Sequence, residues 1–426
     1  MSIDHKSVNQ YFAQLFSSHS PPELARRLQP KTAPADGGSR KKIPRNPYIT
    51  AKTVDARWAI LSADATRREQ LLDPQTQQQM EAYNRNIENF IGTVKVPVGI
   101  AGPLRVNGLH AQDDYYVPLA TTEAALVASY NRGAQLITRA GGAASAVLSH
   151  GVSRAPGFAF ANLLDAGRFV NWATQQYETF AGIAAQTSRF GRLKDMHVTV
   201  EGNHVYLNFD YTTGDAAGQN MVTLATDEIV AYIKKHSPVD LQYCFIEANM
   251  SGDKKASALS FLGVRGKKVA TEINIPAALI KEVLHTTPQQ MVDYWRMSAL
   301  GGVLSGTIGV QGHYANGLAA MYIACGQDAA CVAESSVGVT RFEIDAQGGL
   351  YASVTLPNLI VGTVGGGTGL PSQQACLQLL GLAGSDNAMA FAEVCAAVCM
   401  AGELSIIGAL CSGDFSRAHK QLARGK

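Results

Sequence analysis

"MHVTVEGNHVYLNF", residues 196–209, alternates apolar and polar side chains on either side of a Gly-Asn pair. That alternation marks half-buried strands and Gly-Asn is a hairpin turn, so two antiparallel strands are predicted here. Upstream, "GFAFANL" (157–163) reads as a strand and "DAGRFVNWATQQYETFAGIAAQ" (165–186) as a helix. Downstream, "DAAGQNMVTLATDEIVAYIKKH" (215–236) puts Met221, Leu224, Ala225, Ile229 and Ile233 on one helical face, and "LQYCFIEA" (241–248) returns as a strand. Strand, helix, hairpin, helix, strand is the split βαβ order of a ferredoxin-like unit. Apolar, glycine-punctuated sequence surrounds it at 89–150 and again after about 250, so the unit reads as an insertion. The expected fold is α+β: a large mixed helix/sheet domain (88–154 and 247–426) carrying a small ferredoxin-like βαββαβ domain (155–246), after an N-terminal helical and linker segment (1–87).

A chain of 426 residues exceeds one ordinary domain. Its 46% apolar and 16% charged residues indicate extensive buried or interface surface. A net charge of +2 gives no concentrated basic face, which argues against nucleic acid and for small-molecule partners. Seven cysteines without a CxxC pair suggest neither a disulfide framework nor a zinc site, and fit a reducing cytoplasm. The start, "MSIDHKSVNQYFAQL", lacks the basic and apolar regions of a secretory signal. "AMAFAEVCAAVCMAGELSIIGALCSG" (388–413) approaches membrane-span length, but Glu393 and Glu403 interrupt it, so a buried core helix is expected. "TAPADGGSRKKIPRNP" (32–47) reads as a linker or arm.

Four side chains invite a chemical reading. A helix starting at Thr121 or Thr122 puts Glu123 in its first turn, where it serves the helix dipole or, buried by the following "AALVA", holds a proton and acts as a general acid. Lys254, in "SGDKKASALSF" (251–261), belongs either to a solvated turn or to a site where carboxylates such as Glu123 and Asp328 keep it cationic for an oxyanion. Asp328 lies in the small-residue run "YIACGQDAAC", where burial with a partner is expected. His419 sits near the C-terminus, where a solvated histidine is the default. "GTVGGGTG" (362–369) is a glycine-rich turn whose backbone could approach a phosphate or ribose, although GxGxxG spacing is missing.

Taken in order, "ENFIGTVKVPVGIAGPL" (88–104), "TTEAALVASYNRG" (121–133), "SRFGRL" (188–193), "GDAAGQNM" (214–221), "DKK" (253–255), "IACGQDAA" (323–330), "GTVGGGTG", "QQACLQLLG" (373–381), "MAGEL" (400–404) and the terminal histidine resemble the 3-hydroxy-3-methylglutaryl-coenzyme A (HMG-CoA) reductase family. The resemblance covers nearly all of 85–426 and is similar to the class I catalytic domain without its membrane anchor. It implies NADPH-dependent, four-electron reduction of HMG-CoA to mevalonate and coenzyme A, without a metal, in a homodimer or homotetramer with sites between subunits.

The resemblance also implies roles. Glu123, Lys254, Asp328 and His419 form the catalytic set: Lys254 meets the thioester oxygen as it gains charge, His419 protonates the departing thiolate, Glu123 delivers a proton in the second reduction, and Asp328 couples Glu123 to Lys254. NADP(H) contacts fall on Ser188, Arg189, Asp215, Asn220, Val364, Gly365, Gly366 and Arg424, with Arg189 suited to the 2′-phosphate. Coenzyme A falls near Ser129, Asn131 and Arg132, and the hydroxymethylglutaryl group near Arg154, Asp253, Lys255 and Asn316. The pattern is departed from at Ala217 and Gln219 for methionines, Glu247 for a substrate serine, His285 and Arg296 for lysines, and Gly425 for a regulatory serine. Two other readings stay open: NAD-dependent oxidation of mevalonate, and a thioester-binding protein that has lost turnover.

Overall fold

The structure, a computed structural model, describes residues 5–30, 41–61, 63–263 and 265–413. It divides into two compact units, Met1–Thr93 and Val94–Lys426. The first is helical, with helices His5–Ser18, Pro21–Leu28, Ala51–Leu61, Ala65–Leu71 and Pro74–Gln78. Its small core comprises Ile49, Val54, Trp58, Leu72 and Phe90. Ser20, Asp64 and Asp73 each accept a first-turn N–H and so start their helices. The unit runs to Thr93 because the Thr93 N–H donates to Leu71 O at 2.7 Å and Gly92, at φ +149°, lies too close to the Leu71 carbonyl for any side chain.

The second unit contains strands β1 (Val98–Gly108), β2 (Gln112–Ala120), β3 (Ala143–Arg154), β4 (Gly157–Ala159), β5 (Arg192–Glu201), β6 (His204–Thr212), β7 (Tyr243–Phe245), β8 (Gly266–Ile275), β9 (Val339–Ile344) and β10 (Leu350–Leu359). They form one ten-stranded sheet, ordered β7-β4-β6-β3-β8-β10-β9, with β5 beside β6 and β1 between β2 and β3. The β5–β6 hairpin turns at Gly202-Asn203, Gly202 at φ +55° and Glu201 opposite His204, as the alternation predicts. Strands β7-β4-β6-β5, all antiparallel, reproduce the ferredoxin-like order. They carry their own core of Phe158, Phe160, Phe169, Phe180, Phe209 and Ile229. β3 joins the two halves, since its residues 144–151 pair with β8 and 152–154 with β6.

Three local expectations need correction. The 165–186 stretch forms two helices, Leu163–Gln175 and Tyr177–Thr187, broken at Gln176. On the Gln219–His236 helix the buried face is Val222, Ala225, Thr226, Ile229, Val230 and Ile233, whereas Leu224 is 63% exposed; two valines, not Leu224, complete the stripe. The helix expected from Thr121 begins at Leu126, after Ala125 in the left-handed region. Thr121 still pairs its N–H with Pro97 O and accepts the Glu123 N–H on its hydroxyl at 3.0 Å, so 121–125 is a turn.

The Ala388–Ser412 helix is buried along most of its length, and both of its carboxylates have partners, as buried charges must. Glu393 accepts the N–H groups of His110 and Ala111 at 2.9 and 2.8 Å. Glu403 accepts those of Gly312 and His313 at 2.8 and 2.9 Å, and the Thr340 hydroxyl at 2.7 Å.

Candidate active site

The 251–255 turn presents Lys254 in the left-handed backbone region, φ +56°, which costs a non-glycine residue about 1 kcal/mol or more. Glu334 Oε1 accepts the Lys254 N–H at 3.1 Å and helps hold that conformation. The side chain's Nζ then lies 2.8 Å from Asp328 Oδ2. Hydrogen bonding to Asp328 raises the Lys254 ammonium above its ordinary value, against desolvation. Burial alone would raise the Asp328 carboxyl, but the hydrogen bond from Lys254 and the Ala330 N–H outweigh it and leave that carboxyl low. Both ions persist at neutral pH. The two side chains are 44% and 45% exposed in the chain, so Asp328 has the partner expected of it but not the burial.

Asp328 does not sit within a helix. Tyr314–Ala324 ends at Cys325, Gly326 turns the chain at φ +69°, and a Cβ there would lie 2.3 Å from Gly367 O. The Gln327 amide closes two 2.9 Å hydrogen bonds on the backbone of Gly362. The 326–328 turn and the glycine loop are thus one packed unit.

Behind Lys254 lies a network of buried charge. Asp253 pairs through Oδ1 with Arg265 and through Oδ2 with Arg154 Nη1 at 2.9 Å. Desolvation raises the Asp253 carboxyl, but the two guanidinium groups reverse this and lower it. Arg154 also reaches Glu247 Oε2 at 3.3 Å, and Gln219 Oε1 accepts from Arg154 at 3.3 Å and from Arg265 at 2.8 Å. Glu334, fully buried, lies 3.4 Å from Arg265 Nε; desolvation pushes its carboxyl up to about 7 despite that cation. Lys255 is exposed and its Nζ donates to Asp253 O at 2.8 Å.

Glu123 lines a separate cavity of about 630 Å³ with Leu126, Ser129, Arg132, His313 and Asn316. Its carboxyl is exposed, which corrects the buried helix start, and no contact among the described residues joins it to Lys254 or Asp328. Arg132 is fixed on Ser405, with Nη2 2.8 Å from Ser405 O, and Ser129 Oγ lies 2.9 Å from Ser405 Oγ. Asn131 accepts the Gly102 N–H at 3.0 Å, an architectural use of that side chain. His313 Nε2 faces Gly402 O at 3.0 Å and Nδ1 faces the Asn316 amide nitrogen at 3.2 Å. A carbonyl only accepts, so Nε2 carries the proton and Nδ1 accepts from Asn316.

The proposed cofactor residues fall on three adjoining segments. Ser188 and Arg189 line a shallow cleft with Arg192, and the Ser188 hydroxyl accepts the Phe190 and Gly191 N–H groups at 3.1 Å. Gly191 packs on Met221, just past the exposed Asn220. Ala216 bridges to Val364 in parallel. Beyond it, Gly365 (φ +74°) and Gly366 (φ +55°) leave open space where side chains would stand, a cradle fit for a phosphate-bearing ligand. The Asp215 carboxylate accepts the Asp386 and Ala388 N–H groups at 2.9 and 3.2 Å, tying this loop to the start of the long helix. Beneath the loop, Lys267 donates to Val361 O at 2.8 Å; desolvation pushes its ammonium down to about 8, with Asp215 opposing.

His419 and Arg424 lie outside the described residues. Arg265, Glu334, Gln327 and His313 were not foreseen as site residues. Glu334 could have been: a lone acid in "CVAESS" carries the same signal that singled out Asp328. Among the departures, Glu247 joins Arg154, His285 ends the Ala277–Leu284 helix in the left-handed region, and Arg296 pairs with Asp293 at 3.5 Å on the surface.

Residues 53–424 match the sequence pattern described as hydroxymethylglutaryl-coenzyme A reductase. The chain is 46% identical over 352 residues to 3-hydroxy-3-methylglutaryl-coenzyme A reductase of Aeropyrum pernix, covering 81% of this chain and 83% of that protein. It is 41% identical to the enzyme of that name from Pyrococcus abyssi (81% and 86% covered), and 42% to that of Methanothermobacter thermautotrophicus (81% and 86%). In fold it is similar to the class II reductase of Streptococcus pneumoniae bound to NADPH, with a TM-score of 0.64 and 18% identity over 84% of this chain and 96% of that one.

Proposed function

The chain belongs to the hydroxymethylglutaryl-coenzyme A reductase family, and we propose that it reduces HMG-CoA to mevalonate and free coenzyme A with NADPH. The observation that carries this reading is the Lys254–Asp328 ion pair beside a glycine loop whose two left-handed residues face open space. When bound, NADPH supplies hydride for both reductions. Ser188, Arg189, Asn220, Val364, Gly365, Gly366 and Arg424 would hold it, with Asp215 tying its own loop to the start of the long helix.

Lys254 Nζ donates to the thioester oxygen as negative charge gathers there, and Asp328 keeps that ammonium protonated and aimed. Arg154, Asp253, Lys255 and Asn316 orient the hydroxymethylglutaryl group, while Ser129, Asn131 and Arg132 hold coenzyme A. The leaving sulfur needs a proton, because a thiol of pKa about 8.5 departs partly as thiolate and can re-add; His419 provides it. In the second reduction Glu123 delivers a proton to the aldehyde oxygen.

Among the described residues, no contact joins Glu123 to the Lys254–Asp328 pair. Two copies therefore complete each site, the Glu123 cavity of one facing the ion pair of the other in a homodimer or a pair of dimers. A cytoplasmic location accords with seven unpaired cysteines. The deciding experiment follows nicotinamide oxidation with HMG-CoA, supplying NADPH or NADH. Rapid oxidation of NADPH with two equivalents consumed per thioester supports the reading. A strong NADH preference, or tight thioester binding with no oxidation, rejects it.

A further inference from the structure

Building on the reading that Arg154 orients the hydroxymethylglutaryl group, which a guanidinium does by pairing with its carboxylate, we propose that Glu247 is a specificity-determining residue. Its carboxylate occupies the cationic cradle that the acyl carboxylate must enter, and so weakens selection for thioesters with a remote negative charge.

The charges of the cradle carry the argument. Arg154 and Arg265 face three carboxyl groups, those of Asp253, Glu247 and Glu334. Lys254 is taken by Asp328, and Lys255 is exposed, where screening makes an ion pair weak. The guanidinium pair thus has no surplus charge for an incoming carboxylate, and adding one beside three others is unfavourable unless one gives way.

The geometry identifies which one moves. Asp253 is pinned at both oxygens by different arginines, and Glu334 is fully enclosed and holds the Lys254 backbone. Glu247 is held through Oε2 alone, at 3.3 Å from Arg154 Nη1, 3.3 Å from the Ala155 N–H and 2.9 Å from the Ser251 hydroxyl. Its Oε1 is buried without a partner. Exposure separates it only from Glu334, at 21% against 0%, since Asp253 is at 19%; the bonding, not the exposure, sets Glu247 apart from Asp253.

A second observation says what the cradle takes once Glu247 gives way. Among the described residues, Arg154 Nε, Gln219 Nε2, and Arg265 Nε and Nη1 are buried donors without hydrogen-bond partners, against two such acceptors on the cradle's carboxyl groups, Glu247 Oε1 and Glu334 Oε2, the latter 3.4 Å from Arg265 Nε as an ion pair. Buried polar groups are normally satisfied. The cradle is therefore short of acceptor atoms, and a ligand carboxylate brings two.

The test compares HMG-CoA with 3-hydroxy-3-methylbutyryl-coenzyme A, which lacks the remote carboxylate. Calorimetric titration of the NADP+-loaded enzyme is made for wild type, Glu247→Gln and Glu247→Ser. Glu247→Gln preserves the length and the acceptor oxygen, so Arg154 keeps its contacts. Both variants should bind HMG-CoA about tenfold more tightly, a difference of about 1.4 kcal/mol, with affinity for the uncharged thioester changed less than about twofold. Unchanged or weaker binding of HMG-CoA would overturn the proposal and make Glu247 a support for Arg154. Equal tightening for both thioesters would overturn it too. The binding ratio is readable even if wild type fails to turn over HMG-CoA, so failure of the proposed function is recorded separately.

Discussion

Lys254 and Asp328 meet at 2.8 Å although each is set by an unusual backbone: Lys254 is itself left-handed, and Asp328 follows the left-handed Gly326. Strain at Lys254, upheld by the Glu334 acceptor, and the close Gly326–Gly367 contact that seats Asp328 are what a preorganised charge requires. Lys254→Ala should lower kcat for the thioester by about 10²- to 10³-fold while leaving the KM for NADPH nearly unchanged. Steady-state kinetics decide, and substantial residual turnover would remove Lys254 from its role.

Asp328→Asn acts on the same ammonium from the other side. Asp328 holds the Lys254 pKa above its ordinary value, so removing the carboxylate lowers it, and the alkaline limb of the kcat profile should move to lower pH. A profile that falls in height without moving would argue against the coupling.

Glu334 ties stability to pH. Its carboxyl titrates at about 7 in the folded chain against 4.5 for the ordinary group, so the folded state binds that proton more tightly. The stabilisation is fully present below about 4.5 and is lost as pH rises through about 7, at most about 3 kcal/mol. Chemical denaturation should show Glu334→Gln gaining on wild type between pH 5 and 8, roughly in that pH window; a constant difference across it would count against this assignment.

Gly326→Ala puts a Cβ 2.3 Å from Gly367 O at a φ of +69°. The loss expected is about 1–3 kcal/mol of stability, with a raised KM for NADPH because the glycine loop must shift. Thermal melting and cofactor titration measure the two effects, and an unaltered KM would separate the turn from the loop.

His419→Gln should impair thioester reduction while largely sparing reduction of added mevaldehyde, since only the first half-reaction releases a thiolate. Equal losses in both half-reactions would contradict the assignment.

The ferredoxin-like insert was legible because a hairpin signal depends on neighbouring residues: Gly202-Asn203 and the flanking alternation suffice. The long apolar segment was legible too, since Glu393 and Glu403 exclude lipid. The Thr121 helix start failed because a capping threonine looks the same whether it opens a helix or a turn. Leu224 failed because a helical stripe can be drawn one position off when valines lie beside it. At the site, the family motifs located Lys254 and Asp328, and geometry supplied their contact. Glu334 carried the lone-acid signal that singled out Asp328 and could have been taken on it, whereas Arg265 stayed hidden because an arginine beside glycines looks like any surface cation and periodicity does not report whom it pairs with.

Within the one sheet, β3 changes partner between Gly151, paired with β8, and Val152, paired with β6. A swing of the ferredoxin-like half away from the rest would leave both sets of β3 pairs intact but break the Ala216–Val364 bridge and the 2.9 Å bond from the Thr363 N–H to Asp215 O, so a wide parting of the lobes is disfavoured. On the proposed reaction, exchange of spent dinucleotide for fresh then falls to small shifts of two surface segments, the 188–191 turn and the glycine loop.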